Sequence, residues 1–281
     1  MKVLVTGANG QLGYDVIKRL NALGDEPVGA DREEFDITDG KATESYITAL
    51  RPDAVVHCAA YTAVDKAEDD RDTCRKVNVD GTKNIALACE KIGAKLAYIS
   101  SDYVFGGSGT QPLEINAPKD PQNIYGITKL GGEEEAKKCQ KHFIVRTSWV
   151  FGINGGNFVK TMLRLADSHE TLTVVDDQTC SPTYTPDLAR LICDMIKTEK
   201  YGTYHASNEG YCTWAEFAKE IMRQAEKTTK IIPCTTAEYP AKAKRPENSR
   251  LSKKCLDDAG FDRLPPWQDA LARFLKELDL V

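Results

Sequence analysis

A glycine-rich stretch near the start of the chain, Gly7-Ala8-Asn9-Gly10-Gln11-Leu12-Gly13, decides the fold. It lies between the apolar run Val3-Leu4-Val5, which is typical of a buried strand, and residues 11–23, which have helical periodicity. Glycines permit a tight turn and let backbone amides approach a pyrophosphate, and the helix start offers free N–H groups and the positive end of its dipole. In this strand–turn–helix context the stretch predicts a dinucleotide-binding loop.

Outward from this loop, short apolar runs alternate with longer amphipathic stretches. The predicted strands are residues 3–5, 27–30, 54–57, 95–99 and 142–146. The predicted helices are residues 11–23, 42–50, 73–92 and 125–140. Continuous apolar strands that alternate with helices indicate a parallel sheet covered on both faces, and right-handed crossovers make it doubly wound. The predicted class is therefore α/β, with a Rossmann fold.

The alternation loosens after about residue 150. We predict helices at residues 157–168, 186–198, 213–227 and 267–278, a strand at residues 171–175, and a loop rich in Pro, Lys and Arg at residues 239–250. No internal repeat or low-complexity linker separates this part from the first. We therefore expect a dinucleotide-binding domain over residues 1–150, to which later segments return, and a smaller C-terminal α/β lobe for substrate over residues 151–281.

Composition narrows the classes of function. The formal net charge is -5 and there is no long basic tract, which argues against nucleic-acid binding and against attachment to an anionic membrane surface. The nine cysteines are scattered singly, so reduced buried thiols are favoured over zinc ligands or disulfides. The first residues lead directly into a strand, and no apolar run is long enough to span a membrane. We expect a cytoplasmic protein.

The end of the second predicted strand bears on the choice of cofactor. Asp31 follows Gly13 by 18 residues, where a carboxylate can accept hydrogen bonds from the adenosine ribose and repel a 2′-phosphate. The alternative is a solvated loop charge, and the neighbouring Arg32 is suited to a 2′-phosphate. We expect NADH as cofactor, with NADPH tolerated. Asp36 and Ile37 are expected to contact the adenine.

Tyr125-Gly126-Ile127-Thr128-Lys129 opens the helix after the fourth predicted strand. Residues four apart share a helix face, so the phenol and the ammonium group are expected to lie side by side. A nearby cation favours phenolate and lowers the pKa of a tyrosine, which suits Tyr125 to donate a proton to a carbonyl oxygen that receives hydride. The alternative is an ordinary pair on a surface helix.

Hydroxyl and carboxyl groups follow the fourth predicted strand, in the segment Ser100-Ser101-Asp102-Tyr103-Val104-Phe105. Ligands bind at the carboxyl edge of open α/β sheets, so Ser101 is expected to hydrogen-bond the substrate carbonyl. The alternative is a hydroxyl that caps a turn. For Asp102, a role in orienting substrate and a role in capping the loop stay equally open.

Taken together, these motifs resemble the dTDP-4-dehydrorhamnose reductase family, in the extended branch of the short-chain dehydrogenase/reductase superfamily. The resemblance covers nearly the whole chain. Besides the glycine stretch and the Tyr–Lys motif, it is carried by residues 58–68, Asn78, and residues 101–105, 146–152, 156–162, 176–184 and 245–251. The family has threonine where this chain has Ser101; the hydroxyl is kept, but the methyl group that restricts its rotamer is absent.

The resemblance implies reduction of the C4 keto group of dTDP-4-dehydro-L-rhamnose to dTDP-L-rhamnose, with Tyr125 as proton donor, Lys129 binding ribose, and Ser101 on the C4 oxygen. The implied cofactor residues are Gly7, Asn9, Gly10, Gln11, Leu12, Gly13, Asp31, Asp36, Ile37, Ala59, Ala60, Tyr61, Asn78, Tyr125 and Lys129. The implied substrate residues are Thr62, Val64, Ser101, Asp102, Tyr103, Trp149, Asn157, Arg245, Asn248 and Ser249. Core packing is the alternative for Trp149, and a solvated basic turn is the alternative for Arg245.

Two other functions compete with this one. A related 4,6-dehydratase or epimerase keeps NAD⁺ tightly bound, but a dehydratase usually has an Asp-Glu pair after its hydroxyl residue, where this chain has Asp102 and Tyr103. A non-catalytic regulatory subunit, like that of methionine adenosyltransferase, shares the fold without needing the catalytic residues. Some relatives dimerise around a metal ion; this sequence allows a homodimer but shows no metal-ligand spacing.

Overall fold

The structure is a computed structural model, and it describes residues 1–239 and 241–280. Within these ranges the strands are β1 (Lys2–Thr6), β2 (Glu26–Ala30), β3 (Ala54–His57), β4 (Lys95–Ser101), β5 (His142–Thr147), β6 (Val150–Phe151), β7 (Thr171–Val175), β8 (Thr179–Cys180), β9 (Thr183–Tyr184), β10 (Gly202–His205), β11 (Asn208–Glu209), β12 (Cys212–Thr213), β13 (Lys230–Cys234) and β14 (Leu264–Pro266).

The helices of the same ranges connect these strands. They are α1 (Gln11–Ala22), α2 (Gly40–Leu50), α3 (Val64–Ala67), α4 (Arg71–Arg75), α5 (Thr82–Ile92), α6 (Ile124–Ala136), α7 (Phe158–Ala166), α8 (Thr185–Ile196), α9 (Trp214–Gln224), α10 (Lys254–Ala259) and α11 (Trp267–Glu277). A π-helical segment, Lys76–Gly81, joins α4 to α5, and a short 3₁₀ turn, Asp102–Val104, follows β4.

Six parallel strands form the central sheet in the order β10-β5-β4-β3-β1-β2. Buried aliphatic side chains fill β1, β3 and β4, as expected for a sheet covered on both faces. The chain leaves β1 toward β2 and returns on the other side of β1 to form β3. Successive strands are therefore added in opposite directions on the two sides of the point between β1 and β3, and ligands bind at the carboxyl edge beside such a switch point. The predicted doubly wound parallel sheet is confirmed.

Two local features differ from the sequence predictions. The predicted helix over residues 73–92 is interrupted, because residues 76–81 adopt π-helical hydrogen bonding. The strand β10 was not predicted, since Gly202-Thr203-Tyr204-His205 is short and only half apolar and lies at the sheet edge beside β5. It brings a later segment back to the sheet. Residues 240 and 281, which belong to the predicted loop and C-terminal lobe, lie outside the described residues.

The C-terminal segments build a second core on the same side as the carboxyl edge of β5. Helices α7, α9 and α11 pack around the parallel pair β7–β13 and around an aromatic cluster that includes Phe151, Phe217 and Phe274. The short pair β6–β9 ties this lobe to the segment directly after β5, and the pair β8–β12 joins two segments within the lobe. Hydrogen bonds from Asn154 to the Asn9 carbonyl and from Asn157 to Gln11 hold residues 147–157 beside the glycine loop.

No helix in the described part of the chain is long and apolar enough to cross a membrane. Across residues 1–239 and 241–280, no group of three or more His, Cys, Asp or Glu side chains is arranged to hold a metal ion. All nine cysteines are free thiols, and burial raises the pKa of several of them, such as Cys58 to about 12 and Cys139 to about 11.

Candidate active site

A cavity of about 1110 Å³ runs along the carboxyl edge of the central sheet. Its wall consists of the glycine loop, the end of β2, the loops after β3 and β4, the start of α6 and residues 147–157. The predicted site residues that line it are Gly7, Gly10, Gln11, Leu12, Gly13, Asp31, Asp36, Ile37, Ala59, Ala60, Thr62, Val64, Ser101, Asp102, Tyr103, Tyr125, Lys129, Trp149 and Asn157. The fold thus brings most of the two predicted sets to one cavity.

The glycine loop forms a cradle made of backbone. Gly7 has a φ of +67°, and a Cβ there would lie 2.7 Å from the amide nitrogen of Ala59. A Cβ on Gly13 would lie 2.1 Å from the carbonyl oxygen of Gly7. Gly10 is the N-cap of α1 and has no side chain to offer, so the first amides of that helix are left for a ligand. These features fit the pyrophosphate of a dinucleotide.

Carboxylates lie beside the cradle, at the end of β2. The Oδ2 atom of Asp31 accepts the backbone N–H of Asn9 at 3.0 Å, which holds this carboxylate against the glycine loop. The side chain of Arg32 is 88% exposed and lies 3.5 Å from the carboxylate of Asp36. Hydrogen bonds from Thr38 lower the pKa of Asp36. Both signs of charge therefore meet at the end of the cavity predicted for adenosine.

Asn78 is buried and does not line the cavity. Its side-chain oxygen accepts the N–H of Tyr61 at 2.8 Å, and its amide donates to the Tyr61 carbonyl at 3.1 Å and to the hydroxyl of Thr128 at 3.0 Å. It therefore links the loop after β3 to the helix that carries the Tyr–Lys pair. In this structure Asn78 and Tyr61 shape the site from behind, and direct cofactor contact by either stays a prediction.

The Tyr–Lys pair lies on α6, which Asn123 caps by accepting a backbone N–H. Lys129 is buried; its ammonium group donates to the carbonyl of Ile99 at 2.6 Å and lies 4.4 Å from the ring centre of Tyr98. Burial lowers the pKa of Lys129 to about 8, although the nearby Glu133 opposes this shift. A lysine whose pKa lies close to neutral pH can gain and lose a proton readily at the working pH.

The expected lowering of the Tyr125 pKa is wrong for this structure. Burial raises the pKa of Tyr125, and the charge of Asp102 adds to the rise, whereas a hydrogen bond with Ser101 acts in the opposite direction. Lys129, the group expected to lower this pKa, directs its ammonium group to the Ile99 carbonyl. Tyr125 is therefore a neutral phenol here, which is the form that donates a proton.

Ser101 and Asp102 form a buried pair beside Tyr125. The Ser101 hydroxyl donates to Oδ1 of Asp102 at 2.9 Å and accepts the N–H of Tyr103 at 3.2 Å. The thiol of Cys180 lies 3.7 Å from Oδ2 of the same carboxyl group. Burial raises the pKa of Asp102 to about 6 despite these hydrogen bonds. The Ser101 hydroxyl must turn away from Asp102 before it can donate to a ligand.

Trp149 closes the other side of the cavity in a strained conformation. Its φ of +46° lies in the left-handed region, which costs a bulky residue roughly 1 to 3 kcal/mol. Its carbonyl accepts the N–H of Thr183 at 3.1 Å, and its indole stacks on that of Trp214. Strain of this kind persists only where the surroundings fix it, so the position of this indole is well defined.

Asn157 lies at the junction of the two parts of the chain. It caps α7, and its amide donates to Oε1 of Gln11 at 3.1 Å and to the carbonyl of Gly152 at 2.9 Å. It thereby fastens the C-terminal lobe to the glycine loop. Its contact with the substrate, which the resemblance implies, stays a prediction.

Three predicted substrate residues do not line the cavity. Arg245 makes a two-pronged ion pair with Asp65, at 2.7 and 3.1 Å, so binding of a diphosphate there requires that pair to open. The buried amide of Asn248 donates to the carbonyls of Ser108 and Gln111. Ser249 is also buried, and its carbonyl accepts from a thiol. Contacts of these three with substrate stay predictions.

Several cavity residues were not predicted from the sequence. Thr73, Lys76 and Val77 reach the wall from α4 and the π-helical segment, and Trp214 reaches it from the start of α9. For Trp214 the local signal was present, because Thr213 and Glu216 form a capping box that marks a helix start. Nothing local indicated that this start would meet Trp149.

The central sheet is doubly wound and parallel, a glycine cradle lies at its switch point, and Tyr125 and Lys129 face the same cavity. Together these features define a class of protein. The class is the dinucleotide-binding oxidoreductases of the extended short-chain dehydrogenase/reductase type. Comparison with known proteins places the chain more narrowly. It belongs to the RmlD substrate binding domain family, whose model matches residues 1–280.

Similar proteins cover essentially the whole chain. The Bacillus subtilis spore coat polysaccharide biosynthesis protein SpsK is 43% identical over 98% of this chain and 97% of its own. The crystal structure of a dTDP-4-dehydrorhamnose reductase from Clostridium acetobutylicum superposes with a TM-score of 0.97 at 41% identity, covering 99% of this chain and 100% of the other. The crystal structure of a Bacillus anthracis dTDP-4-dehydrorhamnose reductase in complex with NADP superposes with a TM-score of 0.96 at 43% identity, covering 98% of this chain and 99% of the other.

Proposed function

We propose that this protein catalyses the NAD(P)H-dependent reduction of the C4 keto group of dTDP-4-dehydro-L-rhamnose to dTDP-L-rhamnose. The observation that carries the proposal is that Ser101, Tyr125 and Lys129 line the same cavity as the glycine cradle. A hydride donor in the cradle and a carbonyl beside the phenol then share one enclosed space. Membership of the family, together with relatives described as reductases of this substrate, supports the choice of sugar.

In the proposed reaction, bound NAD(P)H supplies the hydride to C4 of the sugar. Tyr125 donates the phenolic proton to the C4 oxygen as negative charge develops there. Ser101 turns its hydroxyl from Asp102 to the same oxygen and stabilises that charge. Lys129, with a pKa of about 8, is protonated in a large fraction of molecules near neutral pH and stabilises the phenolate that Tyr125 becomes. Its ammonium group also reaches the ribose of the cofactor.

We place the cofactor along the glycine loop and the ends of β2 and β3. The proposed contacts are Gly7, Asn9, Gly10, Gln11, Leu12, Gly13, Asp31, Asp36, Ile37, Ala59 and Ala60. We place the sugar nucleotide between Thr62, Val64, Tyr103 and Trp149. The free thiols are consistent with residence in the reducing cytoplasm, and the net charge of -5 argues against a nucleic-acid partner. A homodimer stays a proposal.

The test is an NADH-consumption assay with purified protein across a small panel of nucleotide-linked 4-keto sugars. We expect oxidation of NADH to depend on the keto sugar and to be fastest with dTDP-4-dehydro-L-rhamnose. The product should be dTDP-L-rhamnose, identified by mass and by NMR of the C4 proton. Turnover confined to another sugar would overturn the substrate, and binding of cofactor without any turnover would favour a regulatory subunit.

The main rival within the superfamily is a 4,6-dehydratase or an epimerase. Such an enzyme keeps its NAD⁺ through the catalytic cycle, whereas a reductase exchanges its cofactor at each turnover. Desalting of the purified protein followed by denaturation and absorbance measurement distinguishes them. We expect no stoichiometric NAD⁺ to remain. The residues after Ser101 also oppose dehydration, because Tyr103 occupies a position that would need a carboxylic acid.

Cofactor choice gives a prediction at the end of β2. Replacing Asp31 with Ala removes a carboxylate suited to accept hydrogen bonds from the adenosine ribose and to repel a 2′-phosphate. Hydrogen bonds to charged groups contribute about 1.5 to 3 kcal/mol, so we expect the ratio of kcat/KM for NADH to that for NADPH to fall about tenfold or more. The ratio is measured from initial rates with each cofactor.

Glu33→Ala is the matched control, since it removes the same charge from an exposed residue of the same turn. It should leave the ratio nearly unchanged. If Asp31→Ala instead widens the preference for NADH, the carboxylate does not lie at the ribose and the cofactor assignment at β2 must be abandoned.

A further inference from the structure

The mechanism proposed above does not use Trp214, although its indole lines the cavity. Trp214 is the first residue of α9 and comes from the C-terminal lobe. Its ring stacks on that of Trp149, with ring centres 3.5 Å apart and planes 13° apart. Phe158 also packs against Trp214, with ring centres 4.5 Å apart and planes tilted by 50°. Three aromatic side chains from three different segments therefore form one cluster, in which the two indoles are stacked.

This stack explains how Trp149 keeps its position. A backbone conformation such as the φ of +46° at Trp149 persists only when surrounding contacts enforce it. The hydrogen bond from Thr183 fixes the backbone, and Trp214 covers one face of the indole. Trp149 also lines the cavity, and because Trp214 covers one face of the indole, we infer that a ligand meets the opposite face.

The sheet register shows what part of a ligand lies beside this face. Thr147 of β5 pairs with Ser101 of β4, and Ser101 is the residue proposed to bind the reacting oxygen. Trp149 follows Thr147 by two residues, so it lies just beyond the carboxyl edge of the sheet beside Ser101. That oxygen is attached to C4 of the sugar ring, and the sugar is the neutral part of a nucleotide sugar. The C–H face of a pyranose ring is apolar and matches a flat indole.

We propose that Trp214 is a positioning residue for sugar recognition: it holds the Trp149 indole so that the exposed face of that indole stacks on the sugar ring. The inference rests on the proposed function, because it takes a nucleotide sugar as the ligand. Trp214 itself makes no contact with the reacting atoms. Its contribution is to the sugar part of the binding, not to the cofactor or to the nucleoside diphosphate.

Comparing the affinities for two ligands isolates the contribution of the sugar to binding. Isothermal titration of dTDP and of dTDP-L-rhamnose into the wild type gives the gain in affinity that the sugar supplies. In Trp214→Leu we expect about a tenfold loss of affinity for dTDP-L-rhamnose, since an aromatic pair contributes on the scale of one decade in affinity. The affinities of this variant for dTDP and for NADH should stay within about twofold of those of the wild type.

Trp214→Phe is the conservative control, because a smaller aromatic ring still covers the indole. It should recover most of the affinity for dTDP-L-rhamnose. In turnover, Trp214→Leu should raise KM for the keto sugar much more than it lowers kcat, whereas a general loss of structure would lower both kcat and the affinity for NADH.

Circular dichroism tests the stack without any ligand. The chain has three tryptophans, and the third, Trp267, is buried in the aromatic cluster around Phe217. Two stacked indoles give an exciton couplet in the far ultraviolet when their in-plane transition moments are rotated relative to each other. We expect this couplet in the wild type and its loss in both Trp214→Leu and Trp149→Phe.

The outcomes distinguish this inference from the proposed function. If the couplet of the wild type survives in Trp214→Leu, or if Trp214→Leu binds dTDP-L-rhamnose as tightly as the wild type, the positioning role is wrong even when the keto sugar is reduced. If the wild type reduces none of the keto sugars and binds dTDP-L-rhamnose no better than dTDP, the proposed function fails first. A selective loss of sugar affinity together with a lost couplet supports the inference.

Discussion

Replacing Tyr125 with Phe is expected to lower kcat by about 10²- to 10⁴-fold, the range that a positioned general acid contributes. Tyr125 is half-buried and lines the cavity with Ser101, and removal of its phenol from water keeps it protonated in the resting protein. Without the hydroxyl, the alkoxide that forms at C4 has no proton donor at the position where its charge develops. Affinity for NADH, measured by fluorescence titration, should stay close to that of the wild type.

Tyr204→Phe is the matched control. It removes a buried tyrosine hydroxyl that donates to the Lys200 carbonyl at 2.6 Å, at the edge strand β10 and away from the cavity. Its kcat should remain near that of the wild type. Turnover that is unchanged in Tyr125→Phe would rule out the proton donor proposed here, whereas a loss of NADH affinity equal to the loss of kcat would indicate a disturbed site.

Local sequence patterns were sufficient to predict the central sheet, the glycine loop and the positions of Ser101 and the Tyr–Lys pair. The apolar runs at β1, β3 and β4 and the glycine stretch depend on neighbours in sequence, so their prediction needed no tertiary information. The position of Ser101 and of the Tyr–Lys pair after β4 followed from the rule that ligands bind at the carboxyl edge of such sheets. These are the parts of the site that the fold class itself determines.

The rest of the site depends on contacts between distant residues. Trp214 meets Trp149 only because β8 pairs with β12 and β6 pairs with β9, and no periodicity encodes those short pairs. The ammonium group of Lys129 donates to the Ile99 carbonyl, and burial raises the Tyr125 pKa that Lys129 was expected to lower. The resemblance assigned Asn78 to the cofactor, whereas its hydrogen bonds in the structure join Tyr61 to Thr128, a contact between segments distant in sequence.

Behind the catalytic helix lies a buried ion pair that the sequence did not indicate. Glu133, one helical turn beyond Lys129, accepts two hydrogen bonds from Arg146 of β5, both at 2.7 Å. Ser100 donates to the same carboxylate at 2.6 Å. Both charged side chains are almost fully buried, at 1% and 3% exposure. Removing one partner leaves the other charge buried without compensation, which is far more costly than the net contribution of the pair.

Glu133→Gln is therefore expected to lower the free energy of unfolding by roughly 3 to 5 kcal/mol, measured by urea denaturation. The destabilisation should be partly relieved in the double variant Glu133→Gln/Arg146→Met, since that variant also removes the stranded positive charge. Glu134→Gln is the matched control on the same helix, because Glu134 is exposed and pairs with Lys137 at the surface. It should change stability by less than about 1 kcal/mol.

The same substitution should change the pH dependence of catalysis. Burial lowers the pKa of Lys129 to about 8, and the Glu133 carboxylate acts in the opposite direction by favouring the ammonium form. Removing that negative charge lowers the Lys129 pKa further, so a smaller fraction of Lys129 is protonated near neutral pH. The alkaline limb of the kcat/KM profile should then move to lower pH in Glu133→Gln and stay in place in Glu134→Gln. An unchanged limb in a folded Glu133→Gln protein would show that protonation of Lys129 does not control the rate.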